Sequence, residues 1–159
     1  MKLRVLWFGK RHPVFDEQVE TYRRRVGRRW PAEDRMLRPV AGGRDRDPGR
    51  ALREEAAAVA GILDPQHMLV VLDERGRCST SEEFARRLAD FEDRSTPGLD
   101  LVIGSDLGLD RDLVRRAAWC VSLSPMTLPH TIARLVLWEQ LFRATHILGG
   151  GGYHRSNVQ

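Results

Sequence analysis

Residues that could bind a small polar ligand follow three apolar runs of this sequence. They are Leu72–Asp73, Gly104–Ser105 and Leu123–Ser124, and each run before them is typical of a buried β-strand. In sheets built from parallel strands, ligands bind just beyond the carboxyl ends of the strands. The candidate ligand site therefore lies at these three segments.

The segment 104–108 places glycines at both ends of a short loop between a strand and a helix. It matches neither the G-x-G-x-x-G fingerprint nor a Walker A loop, and it follows the fourth predicted strand, which argues against an ordinary dinucleotide enzyme. Two interpretations stay open for the glycines. They allow the close approach of a ligand to the backbone, or they serve only a tight turn.

The segment 121–130 runs from a buried strand through small hydroxylated residues into an apolar turn between Pro125 and Pro129. Secondary structure does not use all the backbone amides and carbonyls of such a turn, and buried polar groups need partners. The edge of an adenine ring would supply those partners. The alternative is a simple helix start, with Pro129 near the first turn.

The elements that must position these segments alternate along the chain. Apolar runs predict strands, and apolar residues spaced three or four apart, with capping signals such as Thr80 and Glu83, predict the helices between them. This alternation predicts a single α/β domain with a mostly parallel sheet flanked by helices. The predicted strands are 3–8, 35–40, 68–72, 99–103 and 120–123, and the predicted helices are 15–26, 48–63, 81–94, 111–118 and 130–148.

Composition and charge indicate what kind of partner this protein binds and in which cellular compartment it acts. The net charge is +4 and only two of the 26 basic residues are lysines, which suits a polyanionic partner but does not prove one. The arginines of segment 23–29 could hold a phosphate backbone or form a solvated helix end. No apolar stretch is long enough to span a membrane and no signal peptide precedes the first strand, so we expect a cytoplasmic protein. Cys78 and Cys120 have no ligand-like spacing, so we expect no metal.

Several motifs of the C-terminal third resemble the RlmH family. The run 123–130, then Arg134, the segment 139–144 and finally Tyr153-His154-Arg155 carry the resemblance, and similar length and strand ends extend it along the chain. This family comprises small methyltransferases of the SPOUT superfamily that methylate N3 of a pseudouridine in 23S ribosomal RNA, in the helix 69 region. The resemblance implies a SPOUT-type α/β fold with a deep C-terminal trefoil knot, a rare exception to the rule against threading.

The resemblance also implies S-adenosyl-L-methionine as the cofactor and assigns residues to it. Segment 99–148 would form the knotted cofactor half, and segment 149–159 the substrate tail. His130 would be structural or close to the cofactor. The residues that match the family's cofactor site are Leu72, Gly104, Leu123, Ser124, Pro125, Met126, Thr127 and Leu128.

The implied catalytic residues lie near the end of the chain. His154 is the first candidate to take the N3 proton, because histidine titrates near neutrality. Tyr153 could stack on the base, and Arg155 and Arg143 could hold phosphate or stabilise charge on the base carbonyls. The resemblance further implies a homodimer in which one tail completes the partner's site, and action on assembled ribosomes, where the 23–29 arginines would touch rRNA.

Three positions depart from the family pattern. Ser105 stands where the family usually has the second glycine of a pair, Leu107 stands where an acidic residue is usual, and Gly152 replaces a proline before the tail. Ser105 suits the site if its backbone does not need a positive φ. Two other classes remain open: an RNA-binding protein that has lost catalysis, and a generic nucleotide-binding α/β enzyme without a known fingerprint.

Overall fold

Five parallel strands and five helices build the part of the chain that the computed structural model describes, residues 1–40 and 47–150. The strands and helices alternate in sequence, as predicted. In chain order the elements are β1 (Lys2–Phe8), α1 (Pro13–Val26), β2 (Ala32–Leu37), α2 (Pro48–Ala60), β3 (His67–Cys78), α3 (Ser81–Asp93), β4 (Gly98–Ile103), α4 (Arg111–Arg116), β5 (Trp119–Ser122) and α5 (His130–Leu148).

The sheet has the strand order β2-β1-β4-β3-β5, and all four neighbouring pairs are parallel. The prediction of an α/β fold with a mostly parallel sheet is confirmed. Because the strands are parallel, the ends of β3, β4 and β5 meet at one edge, which we call the carboxyl edge. The trefoil knot stays a prediction. No helix in the described ranges is long and apolar enough to cross a membrane.

Two hydrophobic cores lie on opposite faces of the sheet, because side chains alternate between the faces along each strand. Leu99, Leu101 and Ile103 of β4 pack into the core beneath α1, α3 and α5. Val102, between them, packs into the core beneath α2 and α4. All six residues of β4 are buried, and all but Asp100 are apolar or glycine. The carboxylate of Asp100 accepts from the guanidinium of Arg4 at 2.7 and 2.6 Å, which balances its buried charge.

The helix starts follow the predicted signals. Thr80 accepts from the backbone N–H of Glu83, and the Glu83 carboxylate accepts from the backbone N–H of Thr80, which completes the predicted capping box. Asp110 caps α4 through the backbone N–H groups of Asp112 and Leu113. Helix α5 has the predicted bounds, whereas α2 and α4 end earlier than predicted, at Ala60 and Arg116.

Two strands differ from the prediction. Strand β2 lies three residues earlier than predicted, because its pairing with β1 begins at Ala32 opposite Leu3 and ends at Leu37 opposite Phe8. Strand β3 continues beyond its predicted end at Leu72 to Cys78, with a shift in its pairing to β5 between Leu72 and Arg77. Gly76 permits this path, since a Cβ there would lie 2.7 Å from the backbone carbon of Val121.

Candidate cofactor-binding site

A cavity of about 910 Å³ opens at the carboxyl edge of the sheet, beyond the ends of β4 and β5 and beside residues 72–75 of β3. We call it the cofactor cavity, and its volume suits a ligand of cofactor size. All three segments singled out in the sequence contribute to its lining. The residues assigned to the cofactor by the resemblance that line it are Leu72, Gly104, Leu123, Ser124, Met126, Thr127 and Leu128, whereas Pro125 does not line it.

The loop after β4 is a tight turn that also lines the cavity. The N–H of Gly108 donates to the carbonyl of Ser105 at 2.9 Å, and Gly108 has a φ of +81°. A Cβ on Gly104 would lie 2.3 Å from the carbonyl oxygen of Gly108. Gly104 is therefore needed for the approach of the loop to its own backbone, and the resulting turn forms one wall of the cofactor cavity.

Ser105, a departure from the family pattern, is anchored by a buried carboxylate. Its hydroxyl donates to Oε2 of Glu55 at 2.8 Å, and Oε1 of Glu55 accepts from the backbone N–H of Val40 at 3.0 Å. Glu55 is 4% exposed. Ser95 is the one non-glycine residue with positive φ in the described ranges, so Ser105 meets the backbone condition that the sequence set.

Removing the Ser105 hydroxyl is expected to destabilise the fold. Ser105→Ala leaves Oε2 of the buried Glu55 without its donor, which costs about 1–3 kcal/mol of unfolding free energy. Urea unfolding measures the change. Ser81→Ala is the matched control, because that hydroxyl donates to the uncharged Gln140 and its loss should cost about 0.5–1.5 kcal/mol. If both variants lose the same unfolding free energy, the bond from Ser105 to Glu55 stabilises the fold no more than the bond from Ser81 to Gln140 does.

The loop 123–128 is held by its own hydroxyl groups. Ser122 donates through Oγ to the carbonyl of Ser124 at 2.8 Å, and the N–H of Met126 donates to Oγ of Ser124 at 2.9 Å. Thr127 donates through Oγ1 to Glu74 at 2.7 Å. Within the described ranges, the backbone N–H groups of Thr127 and Leu128 have no acceptor. Both line the cavity, so these donors suit a ligand with acceptor atoms on its edge, as adenine has.

His130 closes one side of the cavity and packs against the end of β1. Its ring lies so close to Gly9 that a Cβ there would be 2.6 Å from His130 Cδ2. Its Nδ1 lies 3.1 Å from a carboxylate oxygen of Asp106. These contacts favour the structural, cofactor-adjacent role that the sequence suggested for His130.

Asp73, at the end of the apolar part of β3, is ionised at neutral pH. The guanidinium of Arg75 hydrogen-bonds to both of its carboxylate oxygens, at 2.8 and 2.7 Å. These hydrogen bonds hold the pKa of Asp73 below its ordinary value, against the opposing effect of burial. Asp73 is thus a fixed negative charge on the cavity wall, and its charge is balanced locally.

A buried ion network fixes the start of α5 behind the cavity. Arg134 is 2% exposed and donates to both oxygens of Asp34, at 3.0 and 2.7 Å, and to Asp16 at 2.5 Å. The indole N–H groups of Trp7 and Trp138 donate to the same Asp34 carboxylate. The guanidinium carbon of Arg134 lies 4.1 Å from the Trp7 ring centroid. Arg134 belongs to the sequence motifs, whereas neither aspartate was predicted: Asp34 lies on β2, which has no apolar pattern, and Asp16 lies in the first turn of α1.

Arg143, the one predicted catalytic residue within the described ranges, does not line the cofactor cavity. Arg143 lies on α5, where it pairs with Glu139 one turn earlier. Tyr153, His154 and Arg155 lie outside the described residues. The structure therefore places seven of the eight residues assigned to the cofactor around one cavity, and both the cofactor and the catalytic assignments stay predictions.

Glu74, Arg53 and Arg111 are among the charged cavity-lining residues that were not predicted as site residues. Glu74 follows Asp73 directly, so its place at a strand end was a usable signal. Arg53 and Arg111 carry no such signal, because arginines are abundant throughout this chain.

The family match identifies this chain as a methyltransferase of the SPOUT type. A family model described as "Predicted SPOUT methyltransferase" matches residues 1–154, and the chain belongs to this family. Two relatives align with this chain over nearly the whole of both sequences. A "Ribosomal RNA large subunit methyltransferase H" from Rhodopseudomonas palustris (strain BisB5) is 39% identical over 98% of this chain and 100% of its own. The protein of that name from Solidesulfovibrio magneticus is 40% identical over 96% of this chain and 97% of its own. The resemblance to the RlmH family is thus confirmed.

A solved structure supports the fold. The crystal structure of a "Probable Methyltransferase from Bordetella pertussis Tohama I" aligns with a TM-score of 0.55 and 15% identity, covering 90% of this chain and 93% of that one. S-adenosyl-L-methionine is the cofactor of the family to which this chain belongs, and the volume and free backbone donors of the cavity fit it. Within the described ranges, no group of three or more metal-ligating side chains occurs.

Proposed function

We propose that this protein methylates N3 of a pseudouridine in the helix 69 region of 23S ribosomal RNA, on assembled ribosomes in the cytoplasm. The names of its full-length relatives support a large-subunit rRNA substrate. The observation that carries the proposal is the cofactor cavity, in which three separate segments of the chain converge at the carboxyl edge. The site has the form of a nucleotide-like cofactor site at parallel strand ends.

The chain must align the base and accept a proton. When bound, S-adenosyl-L-methionine supplies an electrophilic methyl group on a sulfonium. His154 would accept the proton of the imide N3, which would leave that nitrogen able to take the methyl group that the bound cofactor would supply. Tyr153 stacks on the base, while Arg155 and Arg143 hold phosphate or stabilise the negative charge that develops on the base carbonyls. In this scheme segment 99–148 is the knotted cofactor half of the domain, and 149–159 is the substrate tail.

A homodimer completes the scheme, with the tail of one subunit reaching the partner's cavity. Helix α5 supports it, because α1 and α3 pack on two of its sides. A further side carries Ile132 and Val136 together with Glu139 and Arg143, all half-buried in the single chain. A second copy on this side would cover the apolar residues and place Arg143 at the interface rather than in its own cavity.

Mass spectrometry of 23S rRNA tests the proposed reaction. Digests from cells with and without this gene are compared for one methyl group on a pseudouridine in helix 69. Loss of that methyl on deletion, and its return on incubation of ribosomes with the purified protein and cofactor, support the proposal. If the rRNA of the deletion strain keeps every methyl group, the proposed substrate is wrong.

His154→Ala is expected to lower the methylation rate about 100-fold, as loss of a general base does. The measurement is transfer of a labelled methyl group to ribosomes at saturating cofactor. Binding of the cofactor should not change, since His154 acts on the base. His12→Ala, at the exposed N-cap of α1, is the control and should keep the wild-type rate. A wild-type rate in His154→Ala would remove His154 as the proton acceptor.

A further inference from the structure

We propose that Arg53 and Arg111, which we call the rim arginines, bind backbone phosphates of the RNA that flank the target nucleotide. The inference rests on the proposed function, because it names how that substrate is held at the cofactor cavity. Both residues line the cavity, yet they come from different elements: Arg53 from the second turn of α2, and Arg111 from the start of α4. Both are exposed to solvent.

None of the carboxylates that line the cavity forms an ion pair with a rim arginine within the described ranges. Asp73 accepts from Arg75, and Glu74 accepts from Thr127. Asp106 lies against His130, and Asp110 caps α4 through two backbone N–H groups. All four lining acids are thus engaged by other groups.

The rim arginines form no ion pair within the described ranges, whereas Arg75, the third arginine of the lining, is bound to Asp73 at 2.7 Å. Two exposed guanidinium groups therefore line the cavity beside which a target base must lie. A guanidinium offers paired donors that match the oxygens of a phosphate, so the charge and geometry fit an RNA backbone.

The arginines that the sequence singled out lie at the other edge of the sheet. Helix α1 runs back from the end of β1, so its last turn approaches the strand starts, where Arg23 donates to the carbonyl of Ala32. Arg29 pairs with Glu92 near the end of α3. The rim arginines, and not Arg23 or Arg29, are thus placed to hold RNA beside the reacting base of the same subunit.

Ribosome binding at several salt concentrations tests the inference. Wild-type protein, Arg53→Ala and Arg111→Ala, each saturated with S-adenosyl-L-methionine, are titrated with ribosomes between 50 and 300 mM KCl. We expect each variant to bind about 10-fold more weakly at 100 mM salt, and the slope of log K against log salt to fall by about one phosphate contact per arginine. The cofactor Kd, measured by calorimetry without ribosomes, should change less than about twofold.

Arg94→Ala is the matched control, because it removes one exposed arginine at the end of α3, away from the cavity, where no ion pair within the described ranges engages it. It should bind ribosomes with a nearly wild-type salt slope. The inference would be overturned by any of three results: a wild-type salt slope in both rim variants, an equal loss of ribosome affinity in Arg94→Ala, or a change confined to the cofactor Kd. Labelled methyl transfer by the wild type is read separately. Ribosome binding without transfer would contradict the proposed function, while the slopes would still decide the role of the rim arginines.

Discussion

Gly104→Ala is expected to abolish binding of S-adenosyl-L-methionine, with no heat of binding detectable by titration calorimetry. A Cβ at this position would lie 2.3 Å from the carbonyl oxygen and 2.5 Å from the carbonyl carbon of Gly108. Both contacts are to backbone, so no flexible side chain can move aside. The turn from Ser105 to Gly108 must open, and with it the cavity wall that this turn forms.

Gly49→Ala is the matched control for this substitution. Gly49 also lines the cofactor cavity, but a Cβ there would meet its nearest atoms, on Arg53 and Asp47, at 3.4 and 3.6 Å, which is ordinary contact. Its cofactor Kd should stay within about threefold of wild type, which is under 1 kcal/mol. Circular dichroism should show that Gly104→Ala keeps its secondary structure. A folded Gly104→Ala that binds cofactor like wild type would contradict the role of this turn.

Much of the fold could be predicted because burial determines the sequence pattern of its central elements. Strand β4 is buried on both faces, so all its residues except Asp100 are apolar or glycine, and it could be located within one residue. Helix α5 packs against α1 and α3, and it begins directly after Pro129 and ends directly before the glycine run at 149, two signals that the sequence shows. The apolar runs of β3, β4 and β5 stop at the cavity, which is why the cofactor cavity could be located from the sequence although β3 itself continues to Cys78.

The remaining elements depend on contacts between distant residues. Strand β2 has no fully buried residue, and its limits follow from pairing with β1, which its own sequence does not show. The extension of β3 depends on the fit of Gly76 against β5. The hydrogen bond between Glu55 and Ser105 joins residues 50 positions apart, so the sequence showed Ser105 only as a departure from the family's glycine pair. The position of Arg53 and Arg111 at one opening likewise requires the packed sheet.

Asp34→Ala is expected to lower the free energy of unfolding by about 3–5 kcal/mol, measured by urea denaturation. Asp34 accepts four hydrogen bonds: two from Arg134 and one each from the indoles of Trp7 and Trp138. Because the side chain of Arg134 is only 2% exposed, its charge cannot regain water when the carboxylate is removed. Asp16 alone then balances it, from one side.

Strand β2 also carries an exposed ion pair, which provides the control for the buried network. Glu33, the neighbour of Asp34, pairs with Lys2, and the two side chains are 38% and 45% exposed, so Glu33→Ala should cost no more than about 1 kcal/mol. A loss of 3–5 kcal/mol would remove a large share of the 5–15 kcal/mol that typically stabilises a domain. Since Arg134 lies in the first turns of α5, directly after the 123–128 loop, Asp34→Ala should also weaken cofactor binding, whereas Glu33→Ala should not. Equal unfolding free energies for the two variants would show that the Arg134 network stabilises the protein no more than an exposed ion pair does.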